Sequence, residues 1–96
     1  MKFLGKTYEQ VIEDLYDTYY RALKETGDTL SPFRYVFFFS KPLYQWFLDI
    51  TGKQNITVSI FDIPILLTSK TDYFYLQHKK HRYGVGKTLY FFPKNQ

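Results

Sequence analysis

Pro32-Phe33-Arg34-Tyr35-Val36-Phe37-Phe38-Phe39-Ser40-Lys41-Pro42-Leu43-Tyr44-Gln45-Trp46-Phe47-Leu48-Asp49-Ile50-Thr51-Gly52 joins two different periods at one serine. From Phe33 to Phe39 the chain is aromatic and β-branched, broken only by Arg34. Ser31-Pro32 ahead of it favours extended geometry, so the run predicts a central strand buried on both faces. Ser40 then offers a side-chain acceptor to the first N–H groups of a helix, and Pro42 is tolerated in its first turn. Leu43, Trp46, Phe47 and Ile50 recur at helical spacing until Gly52 ends the segment. A helix of this length must be held by packing rather than by propensity.

Towards the N-terminus, residues 7–26 read as one amphipathic helix. Thr7 and Gln10 have capping-box spacing, each able to satisfy an orphan N–H of the first turn. Tyr8, Val11, Ile12, Leu15, Tyr16, Tyr19, Ala22 and Leu23 mark the apolar stripe. Glu9, Glu13, Asp14 and Asp17 crowd the start while Arg21 and Lys24 lie near the end, in the order the helix dipole favours. Gly27 fits the left-handed position after the last turn.

Towards the C-terminus the period changes to two. Ile56, Val58 and Ile60 alternate with Thr57, Ser59 and Phe61, predicting a half-buried strand. Asp62 marks a kink or reversal before a strand over 63–68, in which Pro64 demands an edge, a start or a bulge. Ser69-Lys70-Thr71-Asp72 is turn chemistry. Residues 73–77 predict a strand with Phe74 and Leu76 on one face and Tyr75 and Gln77 on the other. Lys79–Lys87 is polar, basic and glycine-punctuated, and predicts a loop before a last strand over 88–92. The expectation is one α+β domain over residues 1–96. Its mixed or antiparallel sheet has four or five strands, with helices 7–26 and 41–51 packed on it, in the order α-β-α-β-β-β-β. The expected core is Val11, Leu15, Tyr19, Val36, Phe38, Leu43, Phe47, Ile56, Val58, Ile60, Ile65 and Leu67.

Composition narrows the function. With 96 residues there is room for one domain, and 45% apolar content argues against disorder. No apolar run approaches the roughly 20 residues of a membrane helix, and Met1–Lys6 lacks the apolar core of a signal peptide. Without cysteine there is no disulfide framework and no thiol nucleophile. Gly84-Val85-Gly86-Lys87-Thr88 lacks the first glycine of a phosphate loop, since His81 stands there, and a strand is expected after it. His78 and His81 are the only histidines. They lack the further ligands a metal site requires, and neither has a fixed acidic partner for acid–base work. No catalytic residue, metal or cofactor is expected, and the chain reads as a non-enzymatic protein.

Twenty-one aromatic residues are more than so small a domain can bury, and the excess predicts a contact surface. Charge locates it. Residues 1–52 hold six Lys/Arg against seven Asp/Glu, whereas residues 53–96 hold seven against two. The expected partner-binding surface is the basic aromatic loop 77–87, with His78, Lys79, Lys80, His81, Arg82, Tyr83 and Lys87, together with Tyr73, Tyr75 and Tyr90. Rings would supply desolvated anchors and cations would supply steering. A protein partner is the favoured expectation, with self-association through surplus rings as a further one. The alternative is single-stranded nucleic acid on the same loop.

Pro32-x-Arg34, the apolar strand, Ser40-x-Pro42-x-Tyr44 and Ile60-Phe61-Asp62-Ile63-Pro64-Ile65 together resemble a strand–helix–strand unit. This unit belongs to the axial domain of tailed-phage capsid proteins and to small phage-encoded proteins. The resemblance covers residues 32–76 and departs from the usual pattern at Asp62, where that family carries glycine. It implies a phage-encoded protein that acts by contact, as a virion accessory part or an inhibitor of a host protein. Its place would be the host cytoplasm or the virion, not a membrane.

Overall fold

The structure is a computed structural model that describes residues 1–27, 34–52, 59–82 and 85–94; for Lys80, His81, Arg82 and Val85 it describes the backbone alone. The elements are α1 (Tyr8–Thr26), β1 (Tyr35–Ser40), α2 (Lys41–Thr51), β2 (Ser59–Ile60), β3 (Ile63–Thr68), β4 (Phe74–Arg82) and β5 (Val85–Phe91). The five strands form one mixed sheet in the order β2-β3-β1-β4-β5. β1 runs parallel to β3 across the α2 crossover and antiparallel to β4. The α+β class and the element order are those the sequence predicts.

Local chemistry accounts for the helix bounds. Thr7 and Gln10 close a reciprocal capping box on α1, and Gly27 ends the helix in the left-handed region. Ser40 caps α2 by accepting from the Leu43 N–H at 3.2 Å. Its hydroxyl donates to the Asp72 carbonyl at 3.1 Å, and its own N–H bonds the Tyr73 carbonyl. One residue thus ends β1, starts α2 and holds the approach to β4.

Side-chain alternation divides the sheet into two unlike faces. Tyr35, Phe37 and Phe39 point to the helices: Tyr19 of α1 meets Tyr35 edge-on at 5.5 Å, and Phe47 of α2 meets Phe39 at 5.8 Å. Register places Ile65, Leu76 and Phe91 on the same side, and with Val11, Leu15, Ala22, Leu43 and Trp46 they form the core. Val36 and Phe38 face the other way and are half-buried.

This corrects the predicted core. β1 is central but closed on one side only, so Val36 and Phe38 leave the core and Tyr35, Phe37 and Phe39 take their place. Both sets are apolar, so period-two patterning cannot choose between them. Leu67 lies near the end of β3 and is half exposed, while Tyr19 and Ile60 are partly buried against the core. Ile56 and Val58 lie outside the described residues, as does Phe33.

The expected basic loop is also corrected. β4 continues through Lys79 to Arg82 and pairs with β5 as far as Arg82↔Val85. Its pairing with β1 ends at His78↔Tyr35, so past that point the hairpin is two-stranded among the described residues. Lys79, Gly86, Lys87 and Thr88 are exposed, so no apolar alternation marks the strands there and polar sequence imitates a loop. Gly86-Lys87-Thr88 lies inside β5, with no helix after it among the described residues.

Candidate functional site

Both helices cover one face of the sheet, and the opposite face carries a small aromatic cluster of its own. Phe38 on β1 stacks on its cross-strand partner Tyr75 on β4, with centroids 5.1 Å apart. Tyr75 also meets Tyr90 of β5 at 5.8 Å and Phe92 at 5.7 Å. Leu66, paired with Phe38 from the β3 side, extends the patch. Tyr75 is only 7% exposed yet stands apart from the core cluster, because these neighbours bury it on the far side of the sheet. The outer members stay open: Tyr90 is 52% and Phe92 56% exposed, and Leu66 is also exposed.

The patch is held by bonds that run through to the helix layer. Arg21 of α1 donates from Nη2 to the Phe92 carbonyl at 2.7 Å, and its Nε donates to Asp17 at 3.1 Å. The backbone after β5 is therefore fixed while the Phe92 ring is left on the open face. On the other side, the Thr68 hydroxyl accepts from the Lys70 N–H at 3.1 Å, setting the turn that carries Lys70. Lys70, Tyr75, Tyr90 and Phe92 together line a shallow hollow of about 320 Å³. That lies at the low end of the range for small-molecule sites, enough for one ring-sized group.

Charge is layered like the fold. None of the four longer strands contains Asp or Glu, whereas α1 alone carries Glu9, Glu13, Asp14, Asp17 and Glu25. On the open face the alternation of β4 runs Tyr75, Gln77, Lys79, and Lys79 is exposed. An anion meets cations and rings on the sheet side and carboxylates on the α1 side.

The sequence-predicted site residues separate into four groups. Tyr90, Lys79 and Lys87 are exposed as expected, though Lys87 falls on the opposite side of the ribbon from Tyr90 by alternation. Tyr73 and His78 are corrected: they are 2% and 0% exposed and face the helices. Tyr75 is buried too, but as the floor of the open-face cluster. Lys80, His81 and Arg82 lie on β4 with only their backbone described, and Tyr83 lies outside the described residues. Phe38, Leu66, Lys70 and Phe92 were missed. Their signal was present as parity: Phe38 and Tyr75 become neighbours only once β1 and β4 are known to pair.

Burial of Tyr73 and His78 has definite causes. His78 sits opposite Leu89 and packs on Tyr35 with centroids 4.6 Å apart, so β-pairing carries it over the core. Tyr73 donates to Asp14 at 2.7 Å, and the Lys6 ammonium bonds the same carboxylate oxygen and lies over the Tyr73 ring. Burial, reinforced by the bond to Asp14 and its negative charge, pushes the Tyr73 phenol above the usual tyrosine value. This cluster ties the N-terminal residues to α1 and β4.

Among the described residues no group of three His, Asp or Glu side chains could hold a metal ion. No helix among them is long and apolar enough to cross a membrane. Compared with protein-family models, with curated proteins and with solved structures, the chain matches none.

Proposed function

We propose that the chain is a non-enzymatic binding protein that works by contact, with its partner laid across the open face of the sheet. The observation that carries this is a cluster of large apolar side chains, Phe38, Leu66, Tyr75, Tyr90 and Phe92, on the sheet face that neither helix covers, three of which, Tyr75, Tyr90 and Phe92, line one hollow. Contiguous apolar surface of this kind marks interaction sites in small proteins. Both partner classes expected from the sequence, protein and single-stranded nucleic acid, would meet the same rings. The resemblance of residues 32–76 to tailed-phage proteins supports a phage-encoded member of this kind, working in the host cytoplasm or the virion.

Capture of partners from host lysate, with and without nuclease, tests the proposal. A triple variant Leu66→Ser, Tyr90→Ser, Phe92→Ser uncovers Tyr75 but leaves the helix-covered core intact, so it should melt at a lower temperature than the parent and still unfold cooperatively. It should lose the captured partner. A folded triple variant that retains the partner as well as the parent does would overturn the proposal.

A further inference from the structure

We infer that the partner on the open face is a single-stranded nucleic acid, with unpaired bases stacking on Tyr90 and Phe92 and phosphates meeting Lys70 and Lys79. This rests on the open face being the working surface. It reverses the order of preference drawn from the sequence, because the structure changes what stands beside the rings.

Three observations carry it. First, the strands that carry the rings bear cations and no carboxylate. Lys70 lines the hollow with Tyr75, Tyr90 and Phe92, Lys79 stands on the same face of β4, and the four longer strands contribute no carboxylate. A partner without anions would leave those cations unmatched. A second copy would bring them against their own kind, in a chain already at net +4. Second, the exposed rings and the cations alternate in space. Lys79 lies four residues beyond Tyr75, about 13 Å along the strand, so cation, rings and cation follow one another across the face. A chain that repeats base and phosphate has that pattern built in. Third, the hollow accepts one ring-sized group from an open surface, whereas bases inside a duplex have both faces covered and cannot enter it.

Fluorescence anisotropy with labelled (dT)12 and with a 12-base-pair duplex, both at low salt, tests this on the full chain. The chain should bind (dT)12 more tightly than the duplex. Tyr90→Ala and Phe92→Ala should each weaken (dT)12 binding roughly tenfold, as the loss of one stacked base does. Tyr90→Phe should restore it, since the stacking surface is kept. The log–log salt slope should be about −1.4 from two phosphate contacts, falling to about −0.7 in Lys79→Ala. Tyr20→Ala provides the control, because Tyr20 is an exposed ring on acidic α1 and its loss should change nothing. Equal affinity for the duplex, with no loss in Tyr90→Ala, would reduce the binding to general cation attraction and overturn the inference. No binding of (dT)12, with nuclease-resistant protein capture abolished by the same ring substitutions, would overturn the inference and leave the contact proposal standing. Failure of both would remove the two together.

Discussion

Phe61 and Asp62 sit at φ 54° and 63°, in the two-residue link between Ile60 and its partner Ile63. A link with both central residues left-handed suits Asn-Gly, and a side chain there costs about 1–2 kcal/mol. Asp tolerates the conformation better than Phe does. Phe61 is kept there by its ring, which stacks on Tyr19 at 5.8 Å and meets Tyr16 edge-on. The two positions should therefore answer a glycine in opposite directions. Asp62→Gly should stabilise by about 0.5–1 kcal/mol, whereas Phe61→Gly should destabilise by about 2 kcal/mol or more as the packing is lost; urea unfolding measures both. Tyr73 adds a pH dependence at the alkaline end. Its phenol holds its proton more tightly in the folded chain, so stability is undiminished below the unfolded value near 10 and falls as pH rises above it. The slope is about 1.4 kcal/mol per pH unit for the one extra proton bound by the native state. Urea unfolding between pH 9.5 and 11 should show this component in the parent chain, and Tyr73→Phe should remove it.

At the scale of elements, the helices and most strands were legible because their signals are local. Thr7 with Gln10, Ser40 with Pro42, and the closing residues Gly27 and Gly52 each act within one turn. Two things were not legible. The parity of β1 was hidden because Tyr35, Phe37 and Phe39 are no more apolar in pattern than Val36 and Phe38; only docking of α1 and α2 decides which row is covered. The end of β4 was hidden because Lys79 and the facing residues Gly86–Thr88 are exposed, so basic residues suit a strand there as well as a loop. The candidate site suffered from both. The aromatic surplus and the basic half were visible in composition, but their assembly on one face depends on pairing between β1, β4 and β5. Parity can be checked directly. Phe37→Ala opens the core and should cost about 3–5 kcal/mol, while Phe38→Ala, on the open face, should cost about 1–2 kcal/mol. Equal costs in chemical denaturation would contradict the assigned faces.

Across the whole molecule, the sheet separates two chemically different sides. One is closed by α1 and α2 over an aromatic core, and the outer surface of α1 is acidic. The other is open, aromatic and basic, with Tyr75 as its floor and Tyr90, Phe92, Lys70 and Lys79 at its surface. Stability and recognition are thereby assigned to opposite faces, which is why the exposed rings can be changed without dismantling the fold. The tie between them is local: the Phe92 carbonyl is held by Arg21 of α1 while its ring lies beside Tyr75. The most direct test is a two-dimensional amide NMR titration of the full chain with (dT)12. Binding across the open face should give the largest shifts at Val36–Phe38, Tyr75–Lys79 and Thr88–Phe92, with the outer positions of α1, such as Glu13 and Tyr20, unmoved. Shifts centred on α1, or a spectrum unchanged at saturating oligonucleotide, would contradict it.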